Sequence, residues 1–235
     1  MIFLTVPTAG QRPQTLEELI QASGLPRDQV ILISTSPNAG LPKSCVVVND
    51  HGPINIQRWW TVGIEEAVAR GATAVAVSND DVALDSETLT LLYTQMQATG
   101  ATIAAPARDN KRRGLHRGRL VPYSPVMWGS LWMMNPHHGL LPDTRYQWWY
   151  GDNDLDIRAR KQHAGVVSVD VVFEHRNAGE STGESVELQE LARQDRELFE
   201  DQYGQLIWMT DRWNAIRHYF SNLSLSFSTS STKTE

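Results

Sequence analysis

Thr73-Ala74-Val75-Ala76-Val77-Ser78-Asn79-Asp80-Asp81 decides the fold of this chain. A short, uninterrupted apolar run reads as a strand buried on both faces, the kind found inside a parallel sheet. Asp80 and Asp81 stand at its carboxyl end, where paired carboxylates commonly hold a divalent cation against a diphosphate. On either side the pattern changes to the helical period: residues 55–70 carry Ile56, Trp59, Trp60, Gly63, Ile64 and Ala67, and stop at Gly71. A further helix starts near the capping residues Asp85 and Ser86 and runs through Leu89, Leu92, Tyr93 and Met96 to Gly100. Apolar runs at 1–6, 29–34, 45–48 and 102–105 predict four more strands, and 14–23 a first helix. This alternation predicts an α/β class, a mostly parallel sheet flanked by helices.

Beyond residue 105 the alternation breaks. Residues 106–125 are polar, basic and punctuated by Gly and Pro, which predicts a long loop or flap. A strand is expected over 126–134, a short helix over 153–162, a strand over 166–173, and terminal helices over 186–203 and about 210–220. From Ser221 the Ser/Thr-rich tail shows no packing pattern and is expected to be disordered. The expected division is a catalytic domain over 1–185, a helical extension over 186–220 and a tail over 221–235.

With 235 residues, 41% of them hydrophobic and 20% charged, the chain has the composition of one large globular α/β domain. No apolar stretch approaches the roughly 18 residues of a membrane span, and Met1-Ile2-Phe3-Leu4-Thr5-Val6 reads as a strand rather than a signal peptide. A single cysteine, Cys45 in an apolar run, excludes an internal disulfide; a reducing, cytoplasmic setting is expected. The net charge of -6 argues against general nucleic-acid affinity. No internal repeat is present at a solenoid period.

A second acidic motif, Gly151-Asp152-Asn153-Asp154-Leu155-Asp156-Ile157-Arg158, follows the aromatic run Trp148-Trp149-Tyr150, and His175 closes a later apolar run. A metal-binding carboxylate pair and a separate carboxylate that can act as a base suggest transfer chemistry on a metal-bound nucleotide.

Three stretches together resemble the family 2 glycosyltransferases: Val6-Pro7-Thr8, Asn79-Asp80-Asp81-Val82 and Trp149-Tyr150-Gly151-Asp152-Asn153-Asp154-Leu155-Asp156-Ile157-Arg158. The resemblance covers roughly residues 1–180 and implies a GT-A, Rossmann-like fold with C-terminal helices added here. It implies an inverting, hexosyltransferase-like enzyme that uses Mn2+ or Mg2+ and a nucleoside-diphosphate sugar, UDP-sugars foremost. The acceptor is left open among glycan, protein, lipid and nucleic acid. Carried over by residue, Asp81 is the metal ligand with His175 as a second contact to metal or diphosphate, and Asp152 is the catalytic base. Pro7, Thr8, Arg12, Asn79 and Asp80 fall on the donor side, and Trp149, Tyr150 and Gly129 around the sugar or acceptor. Two departures stand out: Gly151 replaces the glutamate usual before the base, and Ser34-Thr35-Ser36 replaces the acidic residue that holds the nucleobase.

Plainer roles compete at each position. Asp80 and Asp81 can serve as turn or cap residues, Asp154 and Asp156 as charges favoured at a helix start, and Arg158 as their helical partner. His137 and His138 read as loop residues, and Trp59 and Trp60 as core. Residues 108–119 carry six Lys/Arg; they suit a solvated loop, a flap over the diphosphate, or a contact for an anionic acceptor. Two other functions remain open: a nucleotidyltransferase, for which Thr8-Ala9-Gly10-Gln11-Arg12 is a poor phosphate loop, and a non-catalytic sugar- or nucleotide-binding module, against which Asp152 counts.

Overall fold

The apolar runs become strands whose alternate residues face two cores. In the computed structural model, which describes residues 1–37, 39–108, 113–118, 120–176, 183 and 185–229, the last of these (213–229) as backbone only, ten strands and five α-helices form an α/β fold. The strands are β1 (Ile2–Thr8), β2 (Val30–Ser34), β3 (Val46–Asn49), β4 (Ala74–Ser78), β5 (Val82–Leu84), β6 (Ile103–Pro106), β7 (Gly114–His116), β8 (Leu131–Met134), β9 (Val166–Val169) and β10 (Phe173–His175). The helices are α1 (Pro13–Ala22), α2 (Ile56–Ala69), α3 (Thr88–Thr99), α4 (Gly151–Gln162) and α5 (Val186–Thr229).

An eight-stranded sheet runs in the order β3-β2-β1-β4-β8-β6-β9-β7, and β5 pairs with β10 in a small second sheet. β1 is parallel to both β2 and β4, and β2 to β3, whereas β8 enters antiparallel between β4 and β6. Because strand side chains alternate, Phe3, Val75 and Val77 pack beneath Trp59, Trp60 and Ile64 of α2. Leu4, Val6, Ala74 and Ala76 face α1 and α3 through Leu16, Leu19, Ile20, Leu89, Leu92 and Met96. Cys45 is buried in this second core.

Five expectations are corrected. Residues 106–125 are not wholly a loop: β7 adds an antiparallel edge strand on β9, while 109–112 and 119, with Lys111, Arg112 and Arg119, lie outside the described residues. The strand expected over 126–134 begins only at Leu131; a turn at Gly129-Ser130 folds Trp128 back to bridge Leu131. The run 166–173 splits after Val169, and its remainder leaves the main sheet as β10. α3 starts at Thr88 after Glu87, with no side-chain cap from Asp85 or Ser86. The two terminal helices are one: α5 passes through Gly204 and Ser221 to Thr229, so neither the gap expected near 204–209 nor the start of the expected tail breaks it. A helical glycine costs only about 1 kcal/mol, and the ion pairs of Arg193 with Glu197 and Arg196 with Glu200, together with docking of Phe199, offset it. No Pro or Gly follows to stop propagation, and residues 230–235 lie outside the described residues. Among the described residues no helix is long and apolar enough to cross a membrane.

Candidate active site

The acidic pair sits where strand register places it. β1 and β4 are parallel with Thr5 opposite Val77, so three residues later Thr8 lies beside Asp80. Thr8 Oγ1 donates to Asp80 Oδ2 at 2.6 Å, and Arg12 Nη1 reaches Asp80 Oδ1 at 3.3 Å from the start of α1. Asp80 is thereby held by the chain's own donors. Asp81 is not: it is only 6% exposed, yet its Oδ1 has no hydrogen-bond partner. β10 runs antiparallel to β5 with His175 opposite Val82, which sets the imidazole beside Asp81. His175 Nε2 lies 3.1 Å from Asp81 Oδ1, in ion-pair range but out of line for a hydrogen bond. Burial alone would raise the Asp81 carboxyl; the His175 ring and the Arg12 charge outweigh it and hold the group below its ordinary 3.8.

These residues suit a divalent cation. Two ligands at right angles around a metal with bonds of about 2.1 Å stand about 3 Å apart, close to the Asp81–His175 separation of 3.1 Å. An orphaned buried carboxylate oxygen supplies the charge, and the imidazole favours Mn2+ over Mg2+. Among the described residues no group of three or more His, Cys, Asp or Glu forms a closed metal cage. An open site is what a cation shared with substrate phosphates requires.

Elsewhere in the lining, α4 begins at Gly151, two residues before the start expected at 153, and carries Asp152 in its first turn. The backbone amide of Asn153 donates to Asp152 Oδ1 at 3.0 Å, and a Cβ on Gly129 would lie 3.0 Å from Oδ2, so only a glycine lets that backbone approach so closely. Burial pushes the Asp152 carboxyl above its ordinary 3.8, against the pull of the Asn153 and Gly129 amides and the Arg108 charge. Arg108 itself lies over the Trp128 ring, 4.2 Å from its centre. Asp152 is half-buried, packed closely by protein yet open to the cleft.

The aromatic run ahead of α4 is fixed by α5. Asp195, 2% exposed, accepts from three successive backbone amides: Gln147 at 2.9 Å, Trp148 at 2.6 Å and Trp149 at 2.8 Å. Tyr150 then takes a left-handed conformation, φ 61°, which is uncommon for a bulky side chain and is held by stacking on Phe199 at 5.1 Å. Asp195→Ala leaves those amides without this acceptor. It is expected to lower stability by about 3 kcal/mol in urea unfolding; an unchanged midpoint would show that the carboxylate does not hold the loop.

Asp154 and Asp156 turn away from the cleft. Asp154, fully buried, pairs with Arg158 at 2.6 Å and accepts from Tyr203 of α5 at 2.7 Å. Asp156 pairs with Arg160 at 3.2 Å. Burial pushes the Asp156 carboxyl up from 3.8 to about 6, with Arg160 pulling the other way. The folded state therefore favours its protonated form, a stabilisation present in full below about pH 4 and lost as pH rises through about 6. Asp156→Asn has no proton to lose, so its urea midpoint should fall less steeply than the wild type's between pH 4 and 7. Parallel profiles would refute the shift.

A cleft of about 810 Å³ joins these parts at the carboxyl ends of β1 and β4. Pro7, Thr8, Arg12, Asn79, Asp80, Asp81, Gly129, Trp149, Tyr150, Asp152 and His175 all line it. His137 and His138 lie elsewhere, on a single 3-10 turn next to Thr102. Trp59 and Trp60 belong to the core, and they also line the cleft with Gln57, Trp128 and Trp148. Gln57 was hidden in the sequence because it is a polar residue on a helix whose period points only to its apolar face.

No family model matches the chain, and no curated protein matches it in sequence. Its structure is similar to solved ones. S. aureus TarS 1-349 superposes with a TM-score of 0.56 at 12% identity, over 89% of this chain and 70% of that one. The mannosyltransferase PcManGT from Pyrobaculum calidifontis, solved with GDP-Man and Mn2+, gives 0.51 at 13% identity over 72% of this chain and 54% of its own. GalNAc-T7 with UDP, GalNAc and Mn2+ gives 0.51 at 13% identity over 65% and 39%. At such identities the likeness is one of fold, and the chain has the GT-A fold.

Proposed function

We propose that this protein is a metal-dependent, inverting glycosyltransferase that moves a hexosyl group from a nucleoside-diphosphate sugar to an acceptor hydroxyl. One observation supports it most: a buried carboxylate whose Oδ1 makes no hydrogen bond, paired with an imidazole, and a second carboxylate of raised proton affinity line one cleft of a GT-A sheet. The GT-A likeness to proteins solved with UDP, GDP-Man and Mn2+ supports the same reading.

Asp81 and His175 would hold Mn2+ or Mg2+, which when bound neutralises charge on the leaving diphosphate. Thr8 and Arg12 fix Asp80, setting the donor side of the cleft before ligand arrives. Asp152 takes the proton from the attacking hydroxyl, and burial, by raising its proton affinity, makes it the stronger base. A single base and one direct displacement give inversion at the anomeric carbon. Ser34 ends β2 and Thr35 follows it into the cleft, so the nucleobase side carries neutral hydroxyls in place of an acid. Residues 1–185 supply these groups as one catalytic unit, with α5 buttressing the aromatic wall and adding Leu188 to the lining.

Calorimetric titration of UDP, GDP, ADP, CDP and TDP, each with and without Mn2+, tests the reading. Metal-dependent binding of at least one, UDP foremost, is expected; binding of none would overturn it.

A further inference from the structure

Gly151 stands directly before Asp152 and offers no side chain there. The space is filled by α2. A Cβ built on Gly151 would lie 2.2 Å from Gln57 Cδ, 2.3 Å from its Nε2 and 2.6 Å from its Oε1. A neutral amide thus abuts the backbone that carries Asp152.

Gln57 lines the cleft, is 1% exposed, and its Oε1 has no hydrogen-bond partner. A buried polar atom left unsatisfied costs about 1–3 kcal/mol, and an apolar side chain of the same length would fill the space without that cost. Trp60 Nε1 and Ser130 Oγ share the condition: both residues line the cleft, are 3% and 5% exposed, and leave these atoms unpartnered. An acceptor, a donor and a hydroxyl, all neutral, suit a ligand that presents several hydroxyls of its own. They do not suit a phosphate, which cationic donors would hold.

Exposure within the lining assigns the ligand. Trp149 is 46% exposed, whereas Gln57, Trp60 and Ser130 are 1%, 3% and 5% exposed and form the least exposed part of the lining. The least exposed lining meets the ligand that fills the cleft first, which in this reading is the donor, before an acceptor hydroxyl reaches Asp152. We propose that Gln57 recognises the transferred sugar, its amide hydrogen-bonding a sugar hydroxyl beside Asp152 and doing from α2 what the glycine at 151 cannot. The inference rests on the glycosyltransferase reading above.

Gln57→Met keeps the length and removes the hydrogen bond. Calorimetry with Mn2+ compares UDP with UDP-glucose, and GDP with GDP-mannose, on wild type and variant. The variant should bind the sugar nucleotide about 3- to 10-fold more weakly, the range of one hydrogen bond, with the bare nucleotide within 2-fold or so. Equal changes for nucleotide and sugar nucleotide, or no change, overturn the proposal while the functional reading stands. A wild type that binds neither nucleotide overturns both. A second arm does not depend on that variant's folding. Gly151→Ala drives a methyl into the Gln57 amide and should weaken the sugar nucleotide in the wild-type background but not in Gln57→Ala. The same loss in both backgrounds counts against the proposal.

Discussion

Exchange of Asp152 for asparagine is expected to lower sugar transfer by about 10²-fold or more while donor affinity changes by less than a few-fold. The reasoning starts from what surrounds the carboxylate. Asn153 N donates to Oδ1, and Gly129 packs against Oδ2, an arrangement asparagine can keep through its own oxygen. Size, shape and helix start are therefore retained, and only the capacity to take a proton is removed. In the proposed reading nucleotide binding rests on Asp81, His175 and Arg12, so it should barely notice the change. The wild-type rate should also fall on the acid side with a midpoint above the ordinary carboxylate value of 3.8, because burial favours the protonated form. Near-normal transfer by the variant would remove Asp152 from its role. Asp154 is a poor substitute, since it is fully buried and committed to Arg158 and Tyr203. Loss of both transfer and nucleotide affinity would instead mark Asp152 as structural.

The residues that were legible from the sequence share one property: their position follows from strand geometry. Thr73 to Asp81 could be read because a buried strand alternates nothing and ends abruptly in charge. The strands β1, β2, β3 and β6 announce themselves in the same way, and the parallel register that joins β1 to β4 brings Thr8 to Asp80 without further information. His175 was readable as the end of an apolar run, but the reason it meets Asp81 was not. That meeting depends on β5 and β10, strands of three residues each, too short to show a period. The same limit hid β7.

What the sequence concealed lies mostly between elements distant in the chain. Asp195 looks like one more charge on a polar helix, and only packing reveals that it binds the amides of 147–149 and so sets the left-handed Tyr150. The helical period of α2 correctly assigns Trp59 and Trp60 to the core but cannot show that the same face, at its amino end, opens into the cleft. The long α5 was cut short in the reading because Gly204 and a Ser/Thr-rich end lower helix propensity, which a docked amino-terminal half outweighs.

Asp81→Ala should abolish the Mn2+-dependent part of nucleotide binding, a loss of about 10²-fold or more. Loss of a residue that merely orients a metal ligand costs about 10- to 100-fold in affinity, and a ligand itself should cost no less. The structure adds an expectation that separates this outcome from unfolding. Asp81 Oδ1 makes no hydrogen bond, its ion pair with His175 is the contact the variant loses, and the backbone oxygen of residue 81, which accepts from Arg176 N at 3.1 Å, is unaffected. Removing the side chain leaves that bond in place and takes away the charge that His175 and Arg12 favour. The variant should stay folded, melting somewhat lower than wild type, while losing its response to Mn2+. A variant that unfolds easily would assign Asp81 to the fold, and one that keeps Mn2+-dependent affinity would move the metal elsewhere. His175→Ala is the natural companion: it leaves the carboxylate and removes the nitrogen 3.1 Å away, so it should weaken the Mn2+ response by about 10-fold and shift preference toward Mg2+, whose ligands are oxygens.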